Sequence, residues 1–368
     1  MSNILITGGA GFIGSNFVNY LVNKQSQNRI IVLDALTYAG NLSSLMGLIE
    51  EKKIQFIHGN ICDAKLLMNI FTNEKIDTVV HFAAESHVDR SIVEPDAFVK
   101  TNVNGTQALL NVALNSWKDD FLGKRFHHIS TDEVYGDLGP DDPAFTEKTP
   151  YAPRSPYAAS KAASDLLVRA YYTTYGLPIT ISNCSNNYGP FHFPEKLIPL
   201  MIINALHGRD LPIYGKGQNI RDWLFVLDHC RAIELILLKG KIGETYNIGG
   251  ENEIININLV RQLCEMIDQI FQNDASLKLR FPQCPASKGQ KCDSLITFVK
   301  DRPGHDRRYA INQAKIFTEL GFAPSVNFDT GLFNTIQWYL ENETWWQTIV
   351  SGDYQNWIYS HYGEQPKR

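Results

Sequence analysis

Short apolar runs recur through roughly the first 130 residues, separated by longer stretches of mixed polarity. They fall at Asn3–Thr7, Arg29–Asp34, Ile54–His58, Thr78–Phe82 and Arg125–Thr131 and are rich in Ile, Leu, Val and Phe. Runs of about four to eight such residues bounded by turn formers read as buried strands. The spacers Ile13–Lys24 and Ala64–Glu74 have helix length. Alternation of strand and helix implies βαβ units, a parallel doubly wound sheet, and right-handed crossovers that put helices on both faces. Further strands are expected at Pro178–Cys184, after a helix starting near Pro156, and at Thr245–Ile248.

The rhythm fails over Pro190–Arg221, Gly250–Arg307 and the tail after Gly321, which are richer in loop residues. These segments are assigned to a second, smaller lobe. The expected fold is α/β: a Rossmann-like doubly wound sheet from 1–187 with 222–250, and a discontinuous lobe from 188–221 with 251–368. A chain of 368 residues is long enough for two such units. The tail tryptophans Trp338, Trp345, Trp346 and Trp357 read as helix packing.

Composition is ordinary for a globular protein, with 44% hydrophobic and 20% charged residues. A net charge of −5 provides no basic footprint for nucleic acid, so an anionic ligand must be held by local groups. The six cysteines (Cys62, Cys184, Cys230, Cys264, Cys284, Cys292) form no CxxC pair, and no His/Cys partner stands at metal spacing beside Cys284 and Cys292. They read as reduced thiols, and no metal is expected. Neither a leader-like apolar segment nor a run near the roughly 18 residues of a membrane span is apparent, so a cytoplasmic location is expected.

The chemistry begins at the first turn. Gly8, Gly11 and Gly14 form GxxGxxG directly after the first strand and before a helix. Glycine there permits a tight turn and close approach of the backbone to a pyrophosphate, which the helix N-terminus favours. Asp34 ends the second strand, 20 residues beyond Gly14. A carboxylate in that place accepts from a ribose 2′-OH and repels a 2′-phosphate, which favours NAD over NADP. The spacing resembles that of the short-chain dehydrogenase/reductase superfamily.

Tyr157 and Lys161 stand four apart after Pro156, on one face of a helix. A neighbouring ammonium is expected to lower the phenol pKa, so that a phenolate can take a proton from a substrate hydroxyl. Thr131, at the end of its strand, can hydrogen-bond the same oxygen, so the three resemble the superfamily's catalytic triad. Asp132 and Glu133 follow at once. Simple hydride transfer has no use for them, but loss of water across C5 and C6 of a hexose needs a base and an acid. Adjacent carboxyls in different environments can divide those roles; Glu133 is read as the C5 base and Asp132 as the C6 acid.

Over nearly its whole length the chain resembles the dTDP-glucose 4,6-dehydratase family. The likeness is carried by GGAGFIGS at 8–15, DALTYAGN at 34–41, HFAAESHVDRS at 81–91, STDEVYG at 130–136 and SPYAASKAASD at 155–165. NCSNNYGP at 183–190, PEKLIP at 194–199, IYGKGQNIRDWL at 213–224 and DRPGHDRRYAI at 301–311 extend it. The resemblance implies NAD contacts from Phe12, Ile13, Ala35, Leu36 and Thr37 beside the glycines and Asp34. Asn60, Ile61, Phe82, Ala83, Ala84, Thr101 and Asn187 join Tyr157 and Lys161 in that set. It implies nucleotide-sugar contacts from Ser86, Thr131, Asn186, Lys196, Leu197 and Pro212, and from Tyr214, Arg221, Asn256, Arg302, His305 and Tyr309. Arg221 and Arg302 can clamp a diphosphate, and Tyr214 or Tyr309 can pack on a base. A homodimer, through a helix bundle that includes the Tyr157 helix, is likewise implied. Asn60 stands where the family usually has Asp, Arg154 and Asn219 depart from the commoner residues, and Pro285–Leu295 is a local elaboration.

Three rivals remain. A nucleotide-sugar 4-epimerase would use the triad without the carboxyl pair. A 4,6-dehydratase could act on a sugar carrying another base. A non-catalytic NAD-binding regulator would have no use for Asp132, Glu133, Tyr157 and Lys161.

Overall fold

A computed structural model describes residues 2–25 and 27–350; Trp357 and the end of the expected second lobe lie outside them. Twelve strands are formed among the described residues. The first six are β1 (Asn3–Thr7), β2 (Arg29–Asp34), β3 (Gln55–His58), β4 (Thr78–His81), β5 (Arg125–Thr131) and β6 (Ile179–Cys184). The others are β7 (Asn186–Tyr188), β8 (Leu211–Tyr214), β9 (Ile220–Phe225), β10 (Thr245–Ile248), β11 (Glu253–Ile255) and β12 (Ile296–Val299).

Seven of them make one sheet in the order β10-β6-β5-β4-β1-β2-β3, and every neighbouring pair is parallel. This is the Rossmann-like architecture expected, within a residue or two at each strand. Alternation along the strands explains why both faces are covered. Leu5, Ile31, Leu33, Val79 and Phe126 pack toward the helices Ala64–Glu74, Thr106–Trp117 and Pro156–Tyr175. Ile4, Ile6, Val32, Val80 and Ile129 point the other way, onto Phe17, Val18 and Leu21 of the Phe12–Asn23 helix and Ile233 of the Val226–Lys239 helix. Strand order reverses between β1 and β4, and ligands of open parallel sheets bind at the carboxyl ends of strands beside such a reversal.

The segments read as loop-rich contain regular structure. Leu197–Leu206 is a helix buried almost all round, so it carries no amphipathic period to read. Asn256–Asn273 is an amphipathic helix of 18 residues, with Leu259, Leu263, Ile267 and Ile270 buried. Both contribute to a separate hydrophobic cluster with Phe328, Leu332, Ile336 and Trp346. Trp338 and Trp345 pack edge-on against Phe191, as the packing reading of the tail expects. A three-stranded sheet, β11-β9-β7, and the parallel pair β12-β8 complete this part, and the boundary between 221 and 222 falls inside β9. Pro285–Leu295 folds as two short 3-10 turns against the Asn256–Asn273 helix and leads directly into β12. Among the described residues, no helix is long and apolar enough to cross a membrane.

Candidate active site

The site is built on the carboxyl ends of the parallel strands. After β1, Gly8 takes φ +70°, and a Cβ there would lie 2.5 Å from the Ala83 nitrogen. A Cβ on Gly14 would lie 2.2 Å from the Gly8 carbonyl oxygen. Only glycine fits either place, so the loop closes tightly over the amino end of the Phe12–Asn23 helix. After β2, Asp34 accepts from the backbone N–H groups of Ala10 (2.9 Å) and Leu36 (2.8 Å). Burial pushes its carboxyl up, with these two donors opposing.

A cavity of about 360 Å³ opens over this loop. It is lined by every residue expected to contact NAD except Leu36, which takes φ +50° and only presents its backbone N–H to Asp34. The glycine cradle, the helix amino end and the Asp34 carboxylate fit a dinucleotide with a free 2′-hydroxyl. Asn60 Oδ1 accepts from Cys62 N–H at 2.8 Å, so its carbonyl is already engaged in a turn.

The Tyr157 helix is set by its own sequence. Ser155 Oγ caps it by accepting from Ala158 N–H (3.1 Å), Pro156 occupies the first turn, and Gly176 ends it at φ +72°. Tyr157 and Lys161 are both buried. Lys161 Nζ donates to the Ile129 carbonyl (2.7 Å) and lies 3.5 Å from His128 Nε2. The expectation that Lys161 lowers the Tyr157 pKa does not hold for the protein alone. Burial raises the phenol well above its ordinary value, with Glu133 adding to the rise, and burial draws Lys161 down. In the protein alone the ammonium is held by the Ile129 carbonyl of β5.

Thr131, Asp132 and Glu133 form the turn that ends β5. Thr131 Oγ1 donates to Asp132 Oδ1 (3.3 Å) and accepts from Glu133 N–H (3.3 Å). Asp132 is 1% exposed, and its Oδ2 has no partner among the described residues. Burial first, then Glu133 and Asp222, push its carboxyl well above the usual range. Burial also raises Glu133, but Arg302, Arg221 and Lys196 pull it back. Both carboxyls are raised by burial, but Glu133 has three cations opposing the rise where Asp132 has Arg221 alone and two acidic neighbours adding to it.

A second cavity of about 1020 Å³ meets the first at Ser86, Glu133, Asn186, Glu195, Lys196, Leu197 and Trp223. Every residue expected to contact the nucleotide sugar lines it except Thr131, which faces the smaller one. Two expectations need revision. Tyr309 is 2% exposed, its hydroxyl donates to Asp306, and its ring lies under the Arg221 guanidinium at 4.3 Å. It therefore supports Arg221, leaving Tyr214 as the aromatic candidate for a base. Arg221 also donates to the Asp306 carbonyl (3.0 Å), so its freedom to turn toward a diphosphate is limited. The two departures converge on the same residue: Arg154 pairs with the Asp306 carboxylate (3.1 Å) and Asn219 donates to its carbonyl (3.0 Å).

Sequence reasoning missed Glu195, Trp223 and Asp89. Glu195 is buried at the junction of the cavities, 3.3 Å from Arg90, and burial pushes it up to about 7. It lay inside the PEKLIP motif, beside a lysine already singled out. Asp89, inside the HFAAESHVDRS motif, accepts from Tyr214 (3.1 Å) and pairs with Arg302 (3.5 Å), partners far away in sequence.

Fold and site together define a short-chain dehydrogenase/reductase built to act on a nucleotide sugar. A family model described as GDP-mannose 4,6 dehydratase matches residues 5–335. The dTDP-glucose 4,6-dehydratase of Shigella flexneri is 52% identical over 98% of both chains. That of Bacillus anthracis, solved in complex with NAD, superposes with a TM-score of 0.82 at 43% identity over 95% of this chain and all of its own. The UDP-glucose 4-epimerase of Thermotoga maritima gives 0.77 at 27% identity over 93% of this chain and 99% of its own. The chain belongs to the dTDP-glucose 4,6-dehydratase family.

Proposed function

We propose that the protein converts dTDP-glucose to dTDP-4-keto-6-deoxyglucose, and that the observation carrying this is the Asp132–Glu133 pair. Two adjacent buried carboxyls with different charged neighbours, beside Tyr157 in one cavity, are what elimination requires and epimerisation does not. NAD held by Gly8, Gly11, Gly14 and Asp34 would supply a hydride acceptor for C4 of the hexose and, once reduced, a hydride donor for C6. Tyr157 removes the O4 proton, with the Thr131 hydroxyl oriented on the same oxygen. The 4-ketone so formed acidifies the C5 hydrogen, so elimination follows oxidation. Glu133, whose rise through burial is opposed by Arg302, Arg221 and Lys196, takes the C5 proton and gives a proton back to C5 when C6 is reduced. Asp132, kept protonated by burial and by its acidic neighbours, donates to the departing C6 hydroxyl. Arg302 holds the diphosphate, with Arg221 adding positive charge from its fixed place beside Asp306, and Tyr214 packs on the base.

The main sheet is assigned to NAD and the part around β8, β9 and β12 to the nucleotide sugar. A homodimer is supported by apolar side chains exposed on neighbouring helices: Val93, Val99, Leu166 and Tyr175. A cytoplasmic location is supported by six cysteines that are all free. Incubation with dTDP-, UDP-, CDP- and GDP-glucose tests the reading. The 4-keto-6-deoxy product is expected from dTDP-glucose; a C4 epimer with no keto product would overturn it.

A further inference from the structure

Behind Tyr157 and Lys161 lies a buried carboxylate to which the reaction just described assigns no task. Asp165 stands one helical turn beyond Lys161, on the same face, and is 0% exposed. Its Oδ2 accepts from Ser130 Oγ (2.8 Å), Tyr151 OH (2.9 Å) and Asn183 Nδ2 (3.2 Å). Its Oδ1 lies 3.1 Å from His128 Nε2, which is itself 3.5 Å from Lys161 Nζ. Donors on β5, on β6 and in the loop before the helix therefore fix this side chain, and His128 stands between it and the ammonium.

A carboxylate buried without a compensating cation is costly, and so is a buried ammonium without an anion. We propose that Asp165, acting with His128, is a positioning residue whose buried negative charge keeps Lys161 an ammonium and holds it in register with Tyr157. The inference rests on Tyr157 as the base at O4, and on the Lys161 ammonium as the charge that stabilises its phenolate during turnover. Burial pushes the Asp165 carboxyl up, but His128, Lys161 and Ser130 outweigh it and the net shift is downward, so it is ionised at neutral pH. His128 is lowered to about 4 by burial and Lys161, with Asp165 opposing, so its ring is neutral there. Burial lowers Lys161, and Asp165 is the largest influence opposing that. The other groups facing Lys161 are His81 on β4, Cys184 on β6 and Tyr157 on its own helix. Around Asp165 stand Tyr135 and Tyr151, the latter bonded to Arg169 (3.0 Å). None of these supplies a second buried anion to Lys161.

The test is Asp165→Asn, which keeps size and removes charge. Without the carboxylate the Lys161 pKa falls, so the ammonium is lost at lower pH as pH rises. The alkaline limb of the kcat profile is expected to move toward neutrality by about one pH unit or more. At neutral pH kcat should fall about tenfold or more, with KM for dTDP-glucose within about twofold. Asp165→Glu, which restores charge, should return the limb to its original place. Tyr151→Phe, which removes one donor and leaves the charge, should not move it. An unmoved limb in Asp165→Asn, or equal movement in Tyr151→Phe, would overturn the proposal. Should Asp165→Asn not fold, thermal unfolding of the double variant Lys161→Met/Asp165→Asn decides. Recovery of a folded protein supports the charge pair, and additive or greater loss contradicts it. This stability cycle reads the pair even if no nucleotide sugar is turned over, which separates failure of the inference from failure of the assigned reaction.

Discussion

At the residue scale, each of the three central side chains has a distinct environment and so a distinct expected loss. Tyr157 is buried, with its phenol raised by burial and by Glu133. Tyr157→Phe is expected to suppress formation of enzyme-bound NADH in a single turnover, followed by absorbance at the reduced nicotinamide band; near-normal NADH formation would remove Tyr157 from the base role. Asp132→Asn and Glu133→Gln are each expected to cut turnover by about 10²–10⁴-fold. Their signatures differ. Glu133→Gln should slow exchange of the C5 hydrogen with deuterated solvent. Asp132→Asn should slow water loss from a C6 hydroxyl but hardly affect a C6 fluoride, which leaves without a proton. Equal damage on both substrates would contradict the acid role. These residues were legible because they lie in short motifs with defined spacing. Glu195 and Asp89 also lie in such motifs but were passed over, because the partners that place them, Arg90 for one and Tyr214 and Arg302 for the other, lie far away in sequence. The engagement of Tyr309 with Arg221, which leaves Tyr214 the freer ring for a base, depends on how β9 meets the 301–311 segment.

At the element scale, what mattered was whether an element's environment has a period. The strands of the main sheet were legible within a residue or two, because each is a short apolar run ended by turn residues. Leu197–Leu206 escaped because it is apolar on all sides, and Pro285–Leu295 because two 3-10 turns leave no repeat. The latter nonetheless matters, since it delivers β12 to β8 and so sets the chain before Arg302 and His305. The phosphate loop makes an element-scale prediction. In Gly14→Ala the new Cβ would meet the Gly8 carbonyl oxygen at 2.2 Å. Overpacking of that kind costs about 1–3 kcal/mol. A lower Tm and loss of co-purifying NAD are expected, read by thermal unfolding and by nucleotide released on denaturation. Full NAD content would contradict the loop's assignment. Ser155→Ala should lower stability by about 1 kcal/mol through loss of the helix cap, measured by denaturant unfolding.

On the scale of the whole molecule, two cavities of about 360 and 1020 Å³ meet at Glu133 and Lys196. That junction places the reacting sugar between a cofactor side and a nucleotide side. A cofactor that is reduced and reoxidised within one turnover has no reason to leave, so the purified protein is expected to carry NAD(H) and to consume no added NAD⁺ in proportion to product. The proposed dimer predicts that Leu166→Glu lowers the apparent mass in size-exclusion chromatography; an unchanged mass would place the interface elsewhere. The central claim is an internal redox cycle around an elimination. Its most direct test is turnover of dTDP-glucose carrying deuterium at C4, with the product read by NMR. Deuterium at C6 of a 4-keto-6-deoxy sugar is the result predicted. Deuterium retained at C4 of an epimerised sugar, or released on free NADH, would contradict it.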